Sequence, residues 1–251
     1  MRIRSIFGYG RLGGEEMIKF DGLQKIGDIV TAFPKAADIL KEYKIDFCCG
    51  GNRPLAAAIE EQGLNESEVL DKINDLYTKY QEEQKDKNWG TATIAELVEQ
   101  IVNKHHAYLW AELPKISELT TLILRVHGPS HPELARVHKL FHILKMDLES
   151  HLTKEETVQY PAIKDYSNSG LASDLNIAIG VIEELEEEHD GAGDILKELR
   201  QVTDDYKIPS DVCETFISTY NKLQELESDL FQHIHLENNI LFPKLKGLQS
   251  A

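Results

Sequence analysis

Twice in this chain a histidine and a glutamate stand four residues apart, and an aromatic residue and a proline follow: His151, Glu155, Tyr160 and Pro161, then His233, Glu237, Phe242 and Pro243. Four residues is about one turn of α-helix, so each pair shares one helical face. That face is otherwise apolar. Val137, Leu144, Leu148 and Val158 share it in the first repeat, and Phe216, Tyr220, Leu223, Leu230 and Leu241 in the second. An imidazole and a carboxylate placed where leucine belongs are destabilising by several kcal/mol unless something in the interior pairs with them. The chain must therefore fold so that such a partner is supplied.

Two further segments carry one inward histidine each. His105 follows Ile94, Leu97, Val98 and Ile101, and His189 follows Ile182 and Leu185. The four periodic segments predict four helices joined by short connections, an up-and-down bundle whose stripes face one axis. The first opens at Thr93 with Glu96 as its capping partner and bends at Pro114; the second runs from near Pro132 to about Tyr160. Ser173 is expected to cap the third, which reaches about Leu199, and Ser210 the fourth, which ends near Pro243. His105, His151, Glu155, His189, His233 and Glu237 then meet at one level. Carboxylates that bridge two hard cations, with neutral imidazoles completing each sphere, suit iron. Two non-haem iron ions with room for an oxo or hydroxo bridge, or for a small molecule, are the expected cofactor.

The remaining histidines fail the register test. At ~100° per residue His142 stands about half a turn from His151, and His138 is similarly displaced, so both are expected to face solvent. His106 is one step off the stripe of His105, and His235 points away from His233, so both are left out of the ligand set. His127 and His131 fall in or near the loop before the second helix, where a structural role is expected.

Residues 93–247 thus form the bundle, and residues 85–92 read as a polar linker. Residues 17–84 read as a small helical domain: Pro34 suits a first helical turn, Asn65 with Glu68 resembles a capping box, and Gly63 suits a helix stop. Cys48 and Cys49 lie in this domain, between Asp46-Phe47 and Gly50-Gly51, a turn expected to expose both thiols. Cys213, near the start of the fourth helix, is expected to be a buried apolar residue. Residues 1–16 read as a leader of uncertain origin, with Met17 as an alternative start. Its Gly8-Tyr9-Gly10-Arg11-Leu12-Gly13 has the spacing of a dinucleotide-binding loop but lacks the surrounding βαβ unit that would give it that meaning.

Composition narrows the partners. Twenty-seven Lys and Arg against 43 Asp and Glu leave a charge of −16, which repels nucleic acid and anionic membrane surfaces. No apolar run approaches the roughly 20 residues of a membrane span, and none suits a signal peptide. Three cysteines, two of them adjacent, favour a reducing compartment, so a cytoplasmic protein is expected.

At Asp46-Phe47-Cys48-Cys49-Gly50-Gly51, at His151 to Glu155, at Glu188-His189-Asp190 and at His233 to Pro243 the sequence resembles the repair-of-iron-centres family of di-iron proteins. The resemblance covers nearly everything after the leader. It implies an all-α fold, a hemerythrin-like up-and-down four-helix bundle preceded by a small helical N-terminal domain. It implies repair of iron–sulfur clusters damaged by nitrosative or oxidative stress, by iron donation or redox chemistry, with damaged iron–sulfur proteins and nitric oxide or oxygen as partners. It implies the same six ligands, with the glutamates bridging, and a role in repair for Cys48 and Cys49. A hemerythrin-like oxygen or nitric-oxide carrier or sensor is the alternative, and it leaves the two cysteines without an evident use. The N-terminal domain is expected to dock over an opening to the iron site so that its thiols relay iron or electrons. Oligomeric state is left open, a homodimer included.

Overall fold

The computed structural model of the chain describes residues 9–10, 17–18, 20–83 and 89–249. The expected leader lies outside the described residues but for Tyr9 and Gly10, and residues 85–88 of the expected linker lie outside them too. Two compact units result, Met1–Thr91 and Ala92–Ala251. Apart from a two-residue antiparallel pairing of β1 (Tyr9–Gly10) with β2 (Met17–Ile18) and one bridge between Lys25 and Pro54, the described residues form helices, turns and short connections.

The small unit holds α1 (Ile26–Ala32), α2 (Ala36–Glu42), α3 (Leu55–Glu61) and α4 (Glu66–Glu83). Pro34 precedes α2, and Gly63, at φ +64°, turns the chain after α3 in a conformation that Cβ-bearing residues disfavour. Asn65 accepts the Glu68 N–H at 3.3 Å, capping α4. Ile26, Ile29, Phe33, Leu40, Phe47, Leu55, Ile59, Val69 and Ile73 fill the core.

In the large unit three of the four rods are composite. The first joins α5 (Ile94–Gln100) through a π turn, Ile101–His106, to α6 (Ala107–His127). The second joins α7 (Leu134–Lys154) through a π turn, Glu155–Gln159, to α8 (Tyr160–Ser169). The third is α9 (Ala172–Gly180) followed by α10 (Ile182–Val202), and the fourth joins α11 (Glu214–Leu236) through Glu237–Leu241, again a π turn, to α12 (Phe242–Gln249). α7 packs on α6 and α10, α11 on α6, and α12 on α9, which closes the bundle. Most of the stripe residues are buried as their spacing predicts: Leu97 and Ile101; Val137, Leu144 and Leu148; Ile182 and Leu185; Phe216, Tyr220, Leu223, Leu230 and Leu241. Ile94 and Val98 are half-buried, and Val158, in the π turn that Glu155 opens, is exposed. Each fully buried aliphatic or aromatic side chain contributes roughly 1.5–3 kcal/mol, enough to hold polar groups in the interior beside it.

Local details both follow and depart from the sequence. Thr93 and Glu96 form a reciprocal capping box, Glu96 N–H to Thr93 Oγ1 at 3.2 Å and Thr93 N–H to Glu96 Oε2 at 2.9 Å. α6 continues through Pro114. The N-caps of α9 and α11 are Leu171 and Cys213, not Ser173 and Ser210. After α10 the chain makes a turn in which Asp204, Asp205 and Tyr206 all have positive φ, and α11 begins only after Cys213, three residues beyond Ser210. Among the described residues no helix is long and apolar enough to cross a membrane.

Candidate metal centre

Each composite rod carries its π turn where its polar residues enter the core. A π turn inserts one residue into the α-helical repeat and so rotates everything beyond it relative to the stripe before it. On the first rod this decides which histidine faces the axis. Ile101 plus four would give His105; with the insertion it is His106 that continues the stripe. His106, Glu155, His233 and Glu237 form one buried group whose ligand atoms all lie within 4.8 Å of one another, and His151, Glu155, His189 and Glu237 form a second. Both glutamates belong to both groups.

The structure thus brings together five of the six residues expected from the sequence and puts His106 where His105 was expected. His105 is buried as well, but its Nδ1 meets Asp229 Oδ1 at 2.9 Å, and its ring stacks on that of His233 at 5.6 Å between centroids. It supports a neighbour from behind.

The ring orientations show what the cluster is built for. The Nδ1 atoms of His106, His151 and His189 point outward to Glu156 Oε1 (2.9 Å), Glu188 Oε2 (2.8 Å) and Asn238 Oδ1 (2.8 Å). An acceptor at Nδ1 places the proton there and leaves the Nε2 lone pair facing inward, which is the tautomer a metal takes. Inward, Nε2 of His106 lies 3.2 Å from Glu155 Oε2, Nε2 of His233 lies 3.3 Å from Glu237 Oε2, and Nε2 of His151 and His189 face each other at 3.1 Å. Nε2 of His106 and of His233, both carboxylate oxygens of Glu155 and Oε2 of Glu237 are buried with no hydrogen-bond partner. Buried polar atoms of native proteins are nearly always satisfied. Five convergent orphans of ligand type fit a metal ion.

Charge agrees with geometry. Burial holds the His106, His151 and His233 imidazoles below their ordinary pKa, so at neutral pH no proton has to leave before a metal binds. Burial, with the Glu237 charge beside it, pushes the Glu155 carboxyl well up. Burial acts the same way on Glu237, but the imidazoles of His233 and His189 close beside it outweigh it and hold this carboxyl well down. Two acids that cannot both ionise in the bare core can do so around cations. Tyr160, fully buried, donates its hydroxyl to Glu237 Oε1 at 2.6 Å. Phe242, its counterpart in the repeat, stacks on His189 and has no such bond to make.

Residues 97–245 match the family described as Hemerythrin HHE cation binding domain, and residues 22–77 match a Domain of Unknown function (DUF542). Over 228 residues the chain is 31% identical to the Iron-sulfur cluster repair protein ScdA of Staphylococcus epidermidis, covering 88% of this chain and 96% of that protein. It is 34% identical over 221 residues to the Iron-sulfur cluster repair protein YtfE of Enterobacter sp., with the same two coverages. The chain belongs to the iron–sulfur cluster repair protein family. Its bundle is the hemerythrin domain of that family, described as one that binds a cation.

The other candidates are placed as follows. His138 and His142 are half-buried rather than solvent-facing; they stack at 4.0 Å and bond Thr121 Oγ1 (3.1 Å) and Ser117 Oγ (3.0 Å) on α6. His235 is buried outside both groups. Cys48 is buried, not exposed: Asp46 Oδ1 accepts its N–H at 3.0 Å and its thiol at 3.1 Å, and Gly50 leaves room where a Cβ would press Asp46 at 3.3 Å. The Cys49 bond, burial and the Asp46 charge hold the Cys48 thiol well up, while Cys49, half-buried, lies 3.9 Å away, sulfur to sulfur.

Cys213 is exposed rather than buried, with His127 Nε2 at 3.2 Å from its sulfur. That bond, with the Phe216 N–H of the helix it caps, brings the thiol down to about 7. Its alkylation by iodoacetamide is expected to reach half its maximal rate near pH 7 and, in His127→Ala, to need a higher pH. An unchanged profile in that variant would show that the imidazole does not set the thiol.

Proposed function

We propose that this protein repairs iron–sulfur clusters damaged by nitrosative or oxidative stress in the cytoplasm, with two non-haem irons in the bundle. The observation that carries the reading is the pair of buried four-residue groups sharing Glu155 and Glu237. His106 and His233 would hold one iron and His151 and His189 the other, with Glu155 and Glu237 common to both groups. Two irons supply a store of transferable metal and one-electron redox capacity. The protein's own part is to present neutral Nε2 atoms, hold them by Glu156, Glu188 and Asn238, and shield the centre with the surrounding apolar stripes. Membership of the repair family, and relatives named for that activity over nearly their whole length, support repair over gas carriage. Damaged iron–sulfur proteins are then the clients. Cys48 and Cys49 are assigned to the repair step itself.

The test is recovery of activity by an iron–sulfur enzyme inactivated with nitric oxide. Iron-loaded protein should restore it several-fold faster than the same amount of free ferrous iron, and iron-free protein should not. Equal rates with free iron would remove the repair role.

A further inference from the structure

The repeat makes the two halves of the centre alike, but the residues behind the ligands make them different. On one side both imidazoles are anchored: His151 by Glu188, His189 by Asn238. On the other, His106 is anchored by Glu156, whereas Nδ1 of His233 is buried with no hydrogen-bond partner. An outer partner of a ligating histidine is commonly worth about 10–100-fold in metal affinity. The position served by His233 is the weaker of the two.

The surroundings differ in the same direction. Lys154 Nζ lies 2.5 Å from Glu188 Oε1 and 2.5 Å from Glu184, so the outer partner of His151 is itself held in place. Glu156 instead accepts from His106 and from Trp110 Nε1 at 3.1 Å, and among the described residues no lysine or arginine is bonded to it. It lines a cleft of about 890 Å³ between α5 and α8, together with Tyr160, the tyrosine that holds Glu237. Glu99 and Asp165 add two further acids to the cleft against one lysine, Lys164. Such a cleft draws a divalent cation outward.

We propose that the two metal positions are unequal, and that the ion between His106 and His233 is the one released, by way of the cleft that Glu156 and Tyr160 line. This rests on the reading of the bundle as an iron donor and names which ion is donated and by what route. The transferable species is a divalent cation, and no redox step is needed to move it.

Mixing the ferrous-loaded protein with excess of a ferrous-specific chromophoric chelator should give two phases of equal amplitude. Glu99→Lys with Asp165→Lys, which reverses charge in the cleft without touching a ligand, should slow the fast phase by on the order of tenfold and leave the slow one alone. Glu188→Gln should speed the slow phase by on the order of 10–100-fold and leave the fast one alone. A single phase, a fast phase indifferent to the charge reversal, or a fast phase that responds to Glu188→Gln each overturns the proposal. A parent chain that takes up no iron overturns the metal centre beneath it. Two phases as described, from a protein that restores no cluster, support the order of release and remove the repair reading alone.

Discussion

Replacing Glu237 or Glu155 by Ala is expected to abolish iron binding, whereas His106→Ala and His189→Ala should each leave about one ion per chain, because each belongs to one of two binding positions. The difference comes from sharing: each glutamate serves both four-residue groups, and each histidine only one. The glutamate variants should nonetheless fold. Glu155, with both oxygens buried and unpartnered and its carboxyl pushed up, destabilises the metal-free fold, so iron-free Glu155→Ala should melt no lower than the iron-free parent, less whatever the small cavity costs. Glu237→Ala leaves the buried Tyr160 hydroxyl without its acceptor and should melt lower. Glu237→Gln, matched in volume, controls for the cavity and should lose iron as well. Metal analysis beside a thermal melt separates the effects, and full iron content in Glu237→Ala would remove Glu237 from the ligand set. His105→Ala is the complementary case. It should retain both ions and lose about 1–2 kcal/mol of stability, since Asp229 is left without its partner.

The His105 and His106 contrast shows where sequence reading ran out. Most stripe residues from Leu97 to Leu241 are buried as a period of 3.6 requires, Val158 being turned out to solvent beyond the start of its π turn, and the repeated His-x-x-x-Glu pairs were visible because both partners precede, or open, the π turn of their rod. On the first rod the π turn comes before the ligand, and an insertion of one residue leaves no mark on composition or spacing. The one available signal was the His105-His106 doublet itself, two adjacent imidazoles where only one can face the axis. Glu227 teaches the converse. It too is buried, on the stripe between Leu223 and Leu230, yet it is matched by Arg200 and belongs to neither metal group. An inward acid identifies a metal site only when neutral donors converge on it.

Caps and cysteines were less legible for a related reason. A serine caps a helix only if the backbone brings it to the last non-helical position, and before α11 that position is held by Cys213. Likewise Gly50-Gly51 read as a turn that would bare both thiols. In the fold the same glycines let the chain close over Cys48, with Phe47 buried beside it and Asp46 bonded to it. Local freedom was visible in the sequence, and tertiary packing decided how it was used.

Substituting both Cys48 and Cys49 by Ser is expected to preserve the fold and the iron content while abolishing cluster repair. Iron content should hold because every residue assigned to the metal lies in the large unit, and the fold because serine occupies no more room than cysteine. Repair should fail because a thiolate competes for iron and exchanges with nitrosylated or oxidised sulfur, and a hydroxyl does neither. The two sulfurs are not equivalent. Bonding to Cys49, burial and Asp46 keep the Cys48 thiol protonated, so Cys49, the more exposed, is the one that meets a partner first. Cys49→Ser alone should therefore reproduce the full loss, whereas Cys48→Ser should retain part of the rate. Repair by the double variant at the parent's rate would mean that the bundle acts without the small unit's thiols. A loss confined to Cys48→Ser would reverse their order.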